Sequence, residues 1–89
     1  MRILITDGLE AEAIASLKKA HQVDVAELNA KQLLDQIPAY HALIVRGRTK
    51  VIKDVFARAA SLKVVGRAGV GVDNIDVNEA TARKILVVN

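Results

Sequence analysis

Short apolar runs alternate with amphipathic stretches along the chain, and this pattern predicts alternating strands and helices. Most of the runs are continuous and rich in β-branched residues, as is typical of strands buried on both faces of a parallel sheet. The run around Val23 and Val25 alternates with polar residues instead, so we expect a half-buried edge strand there. The five predicted strands span residues 2–6, 23–25, 42–45, 63–66 and 85–88.

Amphipathic segments separate these runs and predict four helices. In the first, apolar residues recur at helical spacing between residues 9 and 17. The second begins at Asn29, which has Gln32 at the spacing of a capping box, and ends at Pro38. The remaining two are predicted at residues 51–59 and 76–84.

Five strands alternating with four helices predict one α/β domain over residues 1–89. The default arrangement is a flavodoxin-like, five-stranded parallel sheet with helices on both faces. No helix follows the strand at 85–88, so the last covering helix is missing and apolar surface should be exposed. We therefore expect self-association, as a homodimer or by domain swapping.

Composition excludes several classes of protein. Apolar residues form 52% of the chain and charged residues 26%, which argues against intrinsic disorder. The net charge is +3, and the basic residues are interleaved with acidic ones instead of forming a basic patch. Tyr40 and Phe56 are the only aromatic residues, so few side chains could stack on bases, and a nucleic-acid partner is not expected. The absence of cysteine and of a long apolar segment favours a cytoplasmic protein without a membrane partner.

Candidate chemistry lies in three loops that follow predicted strands, where α/β sheets bind ligands. These loops contain Asp7 with Gly8, residues 46–49, and residues 67–74. Arg46, Arg48 and Arg67 stand beside glycines there, and guanidinium groups with backbone N–H groups form sites for carboxylate or phosphate. The same residues are equally compatible with ordinary turns and solvated arginines.

Other ligand sites are not supported by the residues. The pattern G-x-G-x-x-G from Gly69 would need a glycine where Asn74 stands, so no dinucleotide fingerprint is present. Arg46 occupies the position where phosphoacceptor receiver domains have an aspartate, which argues against that class. His21 and His41 lack companion ligands at helical spacing, so no metal site and no catalytic residue are expected.

Acidic residues near the loops also have simple structural roles. Asp7, Asp73 and Asp76 lie in turns or directly before a predicted helix, where aspartate side chains bond their own backbone. We expect these three residues to stabilise turns and a helix cap rather than to perform acid–base chemistry.

Two motifs resemble one enzyme family. Residues 45–51, VRGRTKV, and residues 65–76, VGRAGVGVDNID, are similar to the D-isomer-specific 2-hydroxyacid dehydrogenases, most of all to the branch that oxidises 3-phosphoglycerate in serine biosynthesis. The resemblance covers all 89 residues. It implies that the chain is the N-terminal part of a flavodoxin-like substrate-binding (lid) domain in an NAD-dependent enzyme.

The resemblance also implies roles for individual residues. Arg46 and Arg67 would bind the phosphate and carboxylate region of a small phosphorylated 2-hydroxy acid. Backbone N–H groups around Ala68, Gly69 and Val70 would hold the carboxylate, and Val70 would lie against the nicotinamide. Asp73 and Asn74 would shape the loop.

Gly47 belongs to the same substrate-binding loop but departs from the pattern, because the phosphoglycerate branch usually has serine there. The family's catalytic residues and its cofactor loop have no counterpart among these residues, so the nucleotide-binding domain is absent. We therefore expect the isolated chain to be inactive, to bind no cofactor and to bind the acid weakly. Two alternatives stay open: a stand-alone anion-binding or regulatory module, and an excised or designed half-domain.

Overall fold

A computed structural model describes residues 1–69, 71 and 73–89. Its five strands are β1 (Arg2–Ile5), β2 (Gln22–Val25), β3 (Ala42–Val45), β4 (Val64–Arg67) and β5 (Leu86–Val88). All neighbouring pairs are parallel, and the strand order is β2-β1-β3-β4-β5. This is the doubly wound order that the sequence predicts, and β2 is an edge strand as expected.

Four helices connect the strands, namely α1 (Ala11–Lys18), α2 (Ala30–Gln36), α3 (Lys53–Arg58) and α4 (Val77–Ala82). The predicted capping box of α2 is confirmed, because Asn29 and Gln32 exchange two hydrogen bonds of 2.8 and 2.9 Å. Pro38 lies in a short 3₁₀ turn after α2, consistent with the predicted helix end. Within the described ranges, no helix has the length and apolar character needed to cross a membrane.

The predicted start of α3 is wrong. Val51 and Ile52 were expected inside the helix, but α3 begins at Lys53. Val51 instead forms an isolated parallel bridge with Ile75, and its N–H donates to the carbonyl of Asn74 at 2.8 Å. The backbone of Val51 is therefore extended because it pairs with a segment that is distant in sequence. The local spacing of apolar residues does not indicate such a pairing.

Helices lie on both faces of the sheet, as predicted. The larger core packs α2, α3 and α4 against one face, with Leu4, Leu43 and Val65 from the strands and Phe56 from α3. The smaller core lies on the other face, where α1 covers the strand residues Ile3, Ile5 and Ala42. β1 and β3 are largely buried on both faces, so the loops at their carboxyl ends follow well-packed strands.

Part of the second face has no cover among the described residues. Strand register places Ala42, Val64 and Leu86 in one row, and Ile44, Gly66 and Val88 in the next. Leu86 is 62% exposed and Val88 is 44% exposed. Ile44 and Val64 pack partly against the smaller core. We refer to Gly66, Leu86 and Val88 as the open face.

Candidate functional site

The structure brings the three predicted loops to one edge of the sheet. β1, β3 and β4 are consecutive neighbours, so Asp7, residues 46–49 and the segment beginning at Arg67 all follow adjacent carboxyl ends. The chain order reverses between β1 and β3, which is where ligands bind in open α/β sheets. We call residues 46–49 the arginine loop.

Asp7 holds the arginine loop from the side of β1. Its carboxylate accepts hydrogen bonds from the N–H of Arg46 at 2.8 Å and from the N–H of Thr49 at 3.0 Å. The hydroxyl of Thr49 also donates to Asp7 and lies 2.9 Å from the hydroxyl of Thr6. The two ends of the loop are therefore fixed to β1.

These contacts keep Asp7 ionised. Burial alone would raise the pKa of Asp7, because a buried carboxylate loses hydration. Hydrogen bonds from Thr49 and Arg46, together with the charge of Arg48, outweigh that cost and hold the pKa of Asp7 below its usual value. The expectation that Asp7 is structural rather than an acid–base group agrees with this arrangement.

Asn74 holds the arginine loop from the opposite side. Its amide nitrogen donates to the carbonyls of Arg46 and Thr49, each at 2.6 Å. Its amide oxygen accepts a hydrogen bond from Nε of Arg67 at 2.9 Å. Asp7 therefore binds the N–H groups, and Asn74 the carbonyls, of the same two residues.

The guanidinium of Arg67 lies close to the backbone of two glycines. A Cβ atom placed on Gly47 would be 3.5 Å from one terminal nitrogen of Arg67, and one on Gly69 would be 2.8 Å from the other. Gly69 also has φ of +139°, a conformation that side chains rarely adopt. Gly69 thus leaves room for this guanidinium, whereas a Cβ on Gly47 would make an ordinary van der Waals contact with it.

Ala68 has a structural contact of its own. Its N–H donates to the carbonyl of Val45 at 2.9 Å and so extends the ladder between β3 and β4. This N–H is committed to the sheet, in contrast to its predicted part in holding a carboxylate. Val70, the predicted neighbour of the nicotinamide, lies outside the described residues.

The two arginines of the arginine loop differ in their surroundings. Arg48 donates to the carbonyls of Leu28 and Thr6 at 3.1 and 2.9 Å and lies 3.1 Å from the carboxylate of Asp7. The structure does not support its predicted place in a three-arginine anion site, because its guanidinium N–H groups already bind protein carbonyls and a carboxylate. Arg46 is exposed, and its side chain has no hydrogen-bond or ion-pair partner among the described residues.

A cleft of about 380 Å³ lies beside the arginine loop. Its lining includes Arg46 and Arg48 from the loop, Asp7 and Gly8 from the end of β1, and Glu27. The cationic side chain of Arg46 can therefore reach a small anion in the cleft, whereas Asp7 faces the backbone of the arginine loop. This arrangement can bind a compact, negatively charged molecule.

The remaining predicted residues lie elsewhere. His41 accepts a hydrogen bond from the N–H of Arg2 at 2.9 Å, and His21 lies beside the amino terminus, so both are at the amino ends of strands. No metal-binding group of three or more acidic, histidine or cysteine residues occurs in the described part of the chain. Asp76 caps α4 by accepting from the N–H of Glu79, as predicted.

The glycine-rich loop departs from the dinucleotide pattern at Asn74. The third glycine of such a loop allows close packing against the nucleotide-binding helix. Here Asn74 occupies that position, and its buried side chain makes three hydrogen bonds, to Arg67, Arg46 and Thr49. The resemblance implied that Asn74 shapes its own loop, but its hydrogen bonds to Arg67 and to the arginine loop were missed from the sequence.

Comparison with known proteins places this arrangement in a family. The family model described as D-isomer specific 2-hydroxyacid dehydrogenase, catalytic domain, matches residues 3–89. The chain is 50% identical over its whole length to D-3-phosphoglycerate dehydrogenase of Methanocaldococcus jannaschii, and 40% identical over 99% of its length to that of Bacillus subtilis. It spans 17% of the length of each of these relatives.

Solved structures have the same fold. A protein from Pyrococcus horikoshii matches with a TM-score of 0.93 and 30% identity, over 99% of this chain and 27% of that one. A protein from Thermus thermophilus matches with a TM-score of 0.89 and 32% identity, over 98% of this chain and 29% of that one. From the family-model match and these similarities, the chain belongs to the D-isomer-specific 2-hydroxyacid dehydrogenase family.

Proposed function

We propose that this chain is the N-terminal part of the substrate-binding (lid) domain of an NAD-dependent D-2-hydroxyacid dehydrogenase that oxidises 3-phosphoglycerate to 3-phosphohydroxypyruvate. The observation that carries the proposal is the position of Arg67, which lies beside Gly47 and is bound to the amide that holds the arginine loop. Two loops that carry arginine are thereby joined at the edge of the sheet where substrates bind.

The proposed substrate suits this edge because it carries a phosphate and a carboxylate. Arg46 and Arg67 provide guanidinium groups, which bind such planar or tetrahedral anions through paired N–H donors. Gly69 keeps the space beside the guanidinium of Arg67 free of a side chain. Ala68 fixes the start of the second loop to β3, and Val70 is proposed to lie against the nicotinamide.

The proposed enzyme divides its work between domains. The rest of the enzyme would hold NAD, which would supply the acceptor for a hydride, and a base for the hydroxyl proton. Neither group is proposed among residues 1–89, so the isolated chain has no dehydrogenase activity and binds no cofactor. The lid part binds and orients the acid. We also propose that the enzyme is cytoplasmic.

A chimeric enzyme tests this proposal. This chain replaces the matching segment of the Methanocaldococcus jannaschii D-3-phosphoglycerate dehydrogenase, to which it is 50% identical. We expect the chimera to oxidise 3-phosphoglycerate with NAD, and Arg67→Ala to raise KM about tenfold or more, because a charge-assisted contact is lost. The conservative variant Arg67→Lys should recover part of the effect. A folded chimera without activity would contradict the proposal.

A stand-alone anion-binding module is the second candidate, favoured by one observation. Residues of this chain hold the arginine loop, chiefly Asp7 and Asn74. Titration of the 89-residue chain with 3-phosphoglycerate separates the two candidates. Micromolar binding supports the module, and millimolar binding supports a lid that contributes part of a shared site (~4 kcal/mol between the two).

A further inference from the structure

We propose that Asn74 is a positioning residue that joins Arg67 and the arginine loop into one unit, so that Arg67 and Arg46 meet an anion at a fixed spacing. The inference rests on the proposed function, since it assigns these two arginines to substrate. It adds a role for a residue that makes no contact with the anion itself.

The amide of Asn74 is matched to its surroundings. It uses its oxygen to accept from Nε of Arg67 and its nitrogen to donate to two carbonyls, those of Arg46 and Thr49. Only an amide offers an acceptor and two donors on one short side chain. A carboxylate offers acceptors alone, so it would repel both carbonyls while still accepting from Arg67.

The position of Asn74 is itself fixed by the backbone. Its carbonyl accepts from the N–H of Val51 at 2.8 Å, and the bridge between Val51 and Ile75 follows directly. The side chain is buried, with 9% of the residue exposed. Asn74 therefore has little freedom to follow Arg67 if that side chain moves, and it holds Arg67 in one orientation.

Holding Nε matters for anion binding because an arginine side chain has many rotamers. Ordering such a side chain on binding costs free energy, and a guanidinium that is already ordered avoids much of that cost. With Nε bound to Asn74, the terminal nitrogens of Arg67 stay beside Gly47 and Gly69. Asp7 holds the arginine loop through the N–H groups of Arg46 and Thr49, so these contacts do not involve Nε of Arg67.

Nuclear magnetic resonance of the 89-residue chain tests the inference through the Nε–Hε signal of Arg67. The variants are Asn74→Ala and Asn74→Asp, and the matched control is Asn78→Ala, which removes an exposed amide from α4. The probe is 3-phosphoglycerate, titrated into each chain. The Nε–Hε signal reports the positioning contact whether or not any anion binds.

In Asn74→Ala we expect the Nε–Hε signal to shift toward that of a solvent-exposed arginine and to exchange faster with water. Affinity for 3-phosphoglycerate should fall about tenfold or more, while Asn78→Ala changes neither quantity. Asn74→Asp keeps the acceptor, so we expect the Nε–Hε signal to survive while the carbonyl signals of Arg46 and Thr49 move.

Three outcomes overturn the inference. The first is an unchanged Nε–Hε signal in folded Asn74→Ala. The second is a changed signal with the same affinity as the wild-type chain. The third is unfolding of both Asn74 variants, which would make the residue a support of the fold. If the wild-type chain binds no 3-phosphoglycerate, the proposed function loses its support, and the Nε–Hε signal still decides whether Asn74 positions Arg67.

Discussion

A Cβ atom on Gly69 would lie 2.8 Å from a terminal nitrogen of Arg67, closer than side-chain carbons approach other atoms in proteins. Any other residue at this position must displace the guanidinium or distort its own backbone, since φ is +139°. The absence of a side chain at Gly69 therefore allows the guanidinium of Arg67 to lie where it does. A control variant separates this steric effect from backbone strain.

We predict that Gly69→Ala weakens binding of 3-phosphoglycerate about tenfold and lowers the free energy of unfolding by about 1–3 kcal/mol. Gly71→Ala is the matched control, because Gly71 also has a positive φ, of +81°, but the added carbon would meet only a carboxylate oxygen of Asp73, at an ordinary distance of 3.5 Å, among the described residues. The control should lose stability and keep its affinity. Calorimetric titration and urea unfolding measure the two effects, and equal affinity losses in both variants would contradict the role of Gly69.

A second prediction separates the two arginines of the arginine loop. Arg48→Ala should lower the free energy of unfolding by about 1–3 kcal/mol, because Arg48 binds the carbonyls of Thr6 and Leu28 and the carboxylate of Asp7. Arg46→Ala should change stability little, because its side chain has no partner among the described residues, and should weaken anion binding about tenfold. If Arg48→Ala instead keeps its stability and loses affinity for the anion, Arg48 binds the anion and this prediction is wrong.

This contrast shows what the sequence could indicate. The capping box of Asn29 and Gln32 was predictable because both partners lie within one turn of a helix. The order of the strands followed from general rules for parallel sheets. By contrast, Arg46 and Arg48 are the same residue type in one loop, and the acceptors that distinguish Arg48 lie 20 and 42 positions away.

The role of Asn74 was hidden for the same reason. Its side-chain donors reach carbonyls 28 and 25 positions earlier, and every residue provides a carbonyl, so no residue type marks the partner. The bridge between Val51 and Ile75 likewise joins two segments that look independent in sequence. Motifs and periodicity therefore located the arginine-bearing loops. The contacts that hold these loops could be identified only from the tertiary structure.

A third prediction concerns acid stability. The pKa of Asp7 is lower in the folded chain than its usual value of 3.8, so the ionised group stabilises the fold above that pH. The stabilisation is lost as the pH falls through the lowered pKa, because the unfolded chain takes up the proton first. Asp7→Asn should therefore be about 1–3 kcal/mol less stable at neutral pH and should lose less stability than the wild-type chain on acidification.

Asp24→Asn is the control for this pH dependence. The pKa of Asp24 is also lowered, chiefly by the hydroxyl of Tyr40, yet this carboxylate lies on edge strand β2 and bonds to Arg2 rather than to the arginine loop. Urea unfolding between pH 3 and 7 gives the stability curves, and amide chemical shifts of Arg46 and Thr49 report the loop. Those shifts should move in Asp7→Asn alone, and an unchanged acid profile in that variant would show that Asp7 is not the titrating group.

The open face leads to a fourth prediction, that the chain associates with itself in solution at high micromolar concentration. Leu86 and Val88 expose apolar surface on β5. β5 is an edge strand, so the backbone groups on its outer side pair with no other strand among the described residues. Burying contiguous apolar surface is favourable at about 25 cal/mol per Å², so a second copy gains stability by covering the open face.

Sedimentation velocity of the wild-type chain and two variants tests this association. Leu86→Lys places a charge on the most exposed apolar residue of edge strand β5 and should shift the chain to a monomer, because the charge would have to be buried in the contact. Ile52→Lys is the control, since Ile52 is 49% exposed but precedes α3, which packs on the other face of the sheet. It should associate like the wild-type chain. If the wild-type chain sediments as a monomer at every concentration, the open face does not recruit a second copy; if Ile52→Lys also abolishes association, the contact lies elsewhere on the molecule.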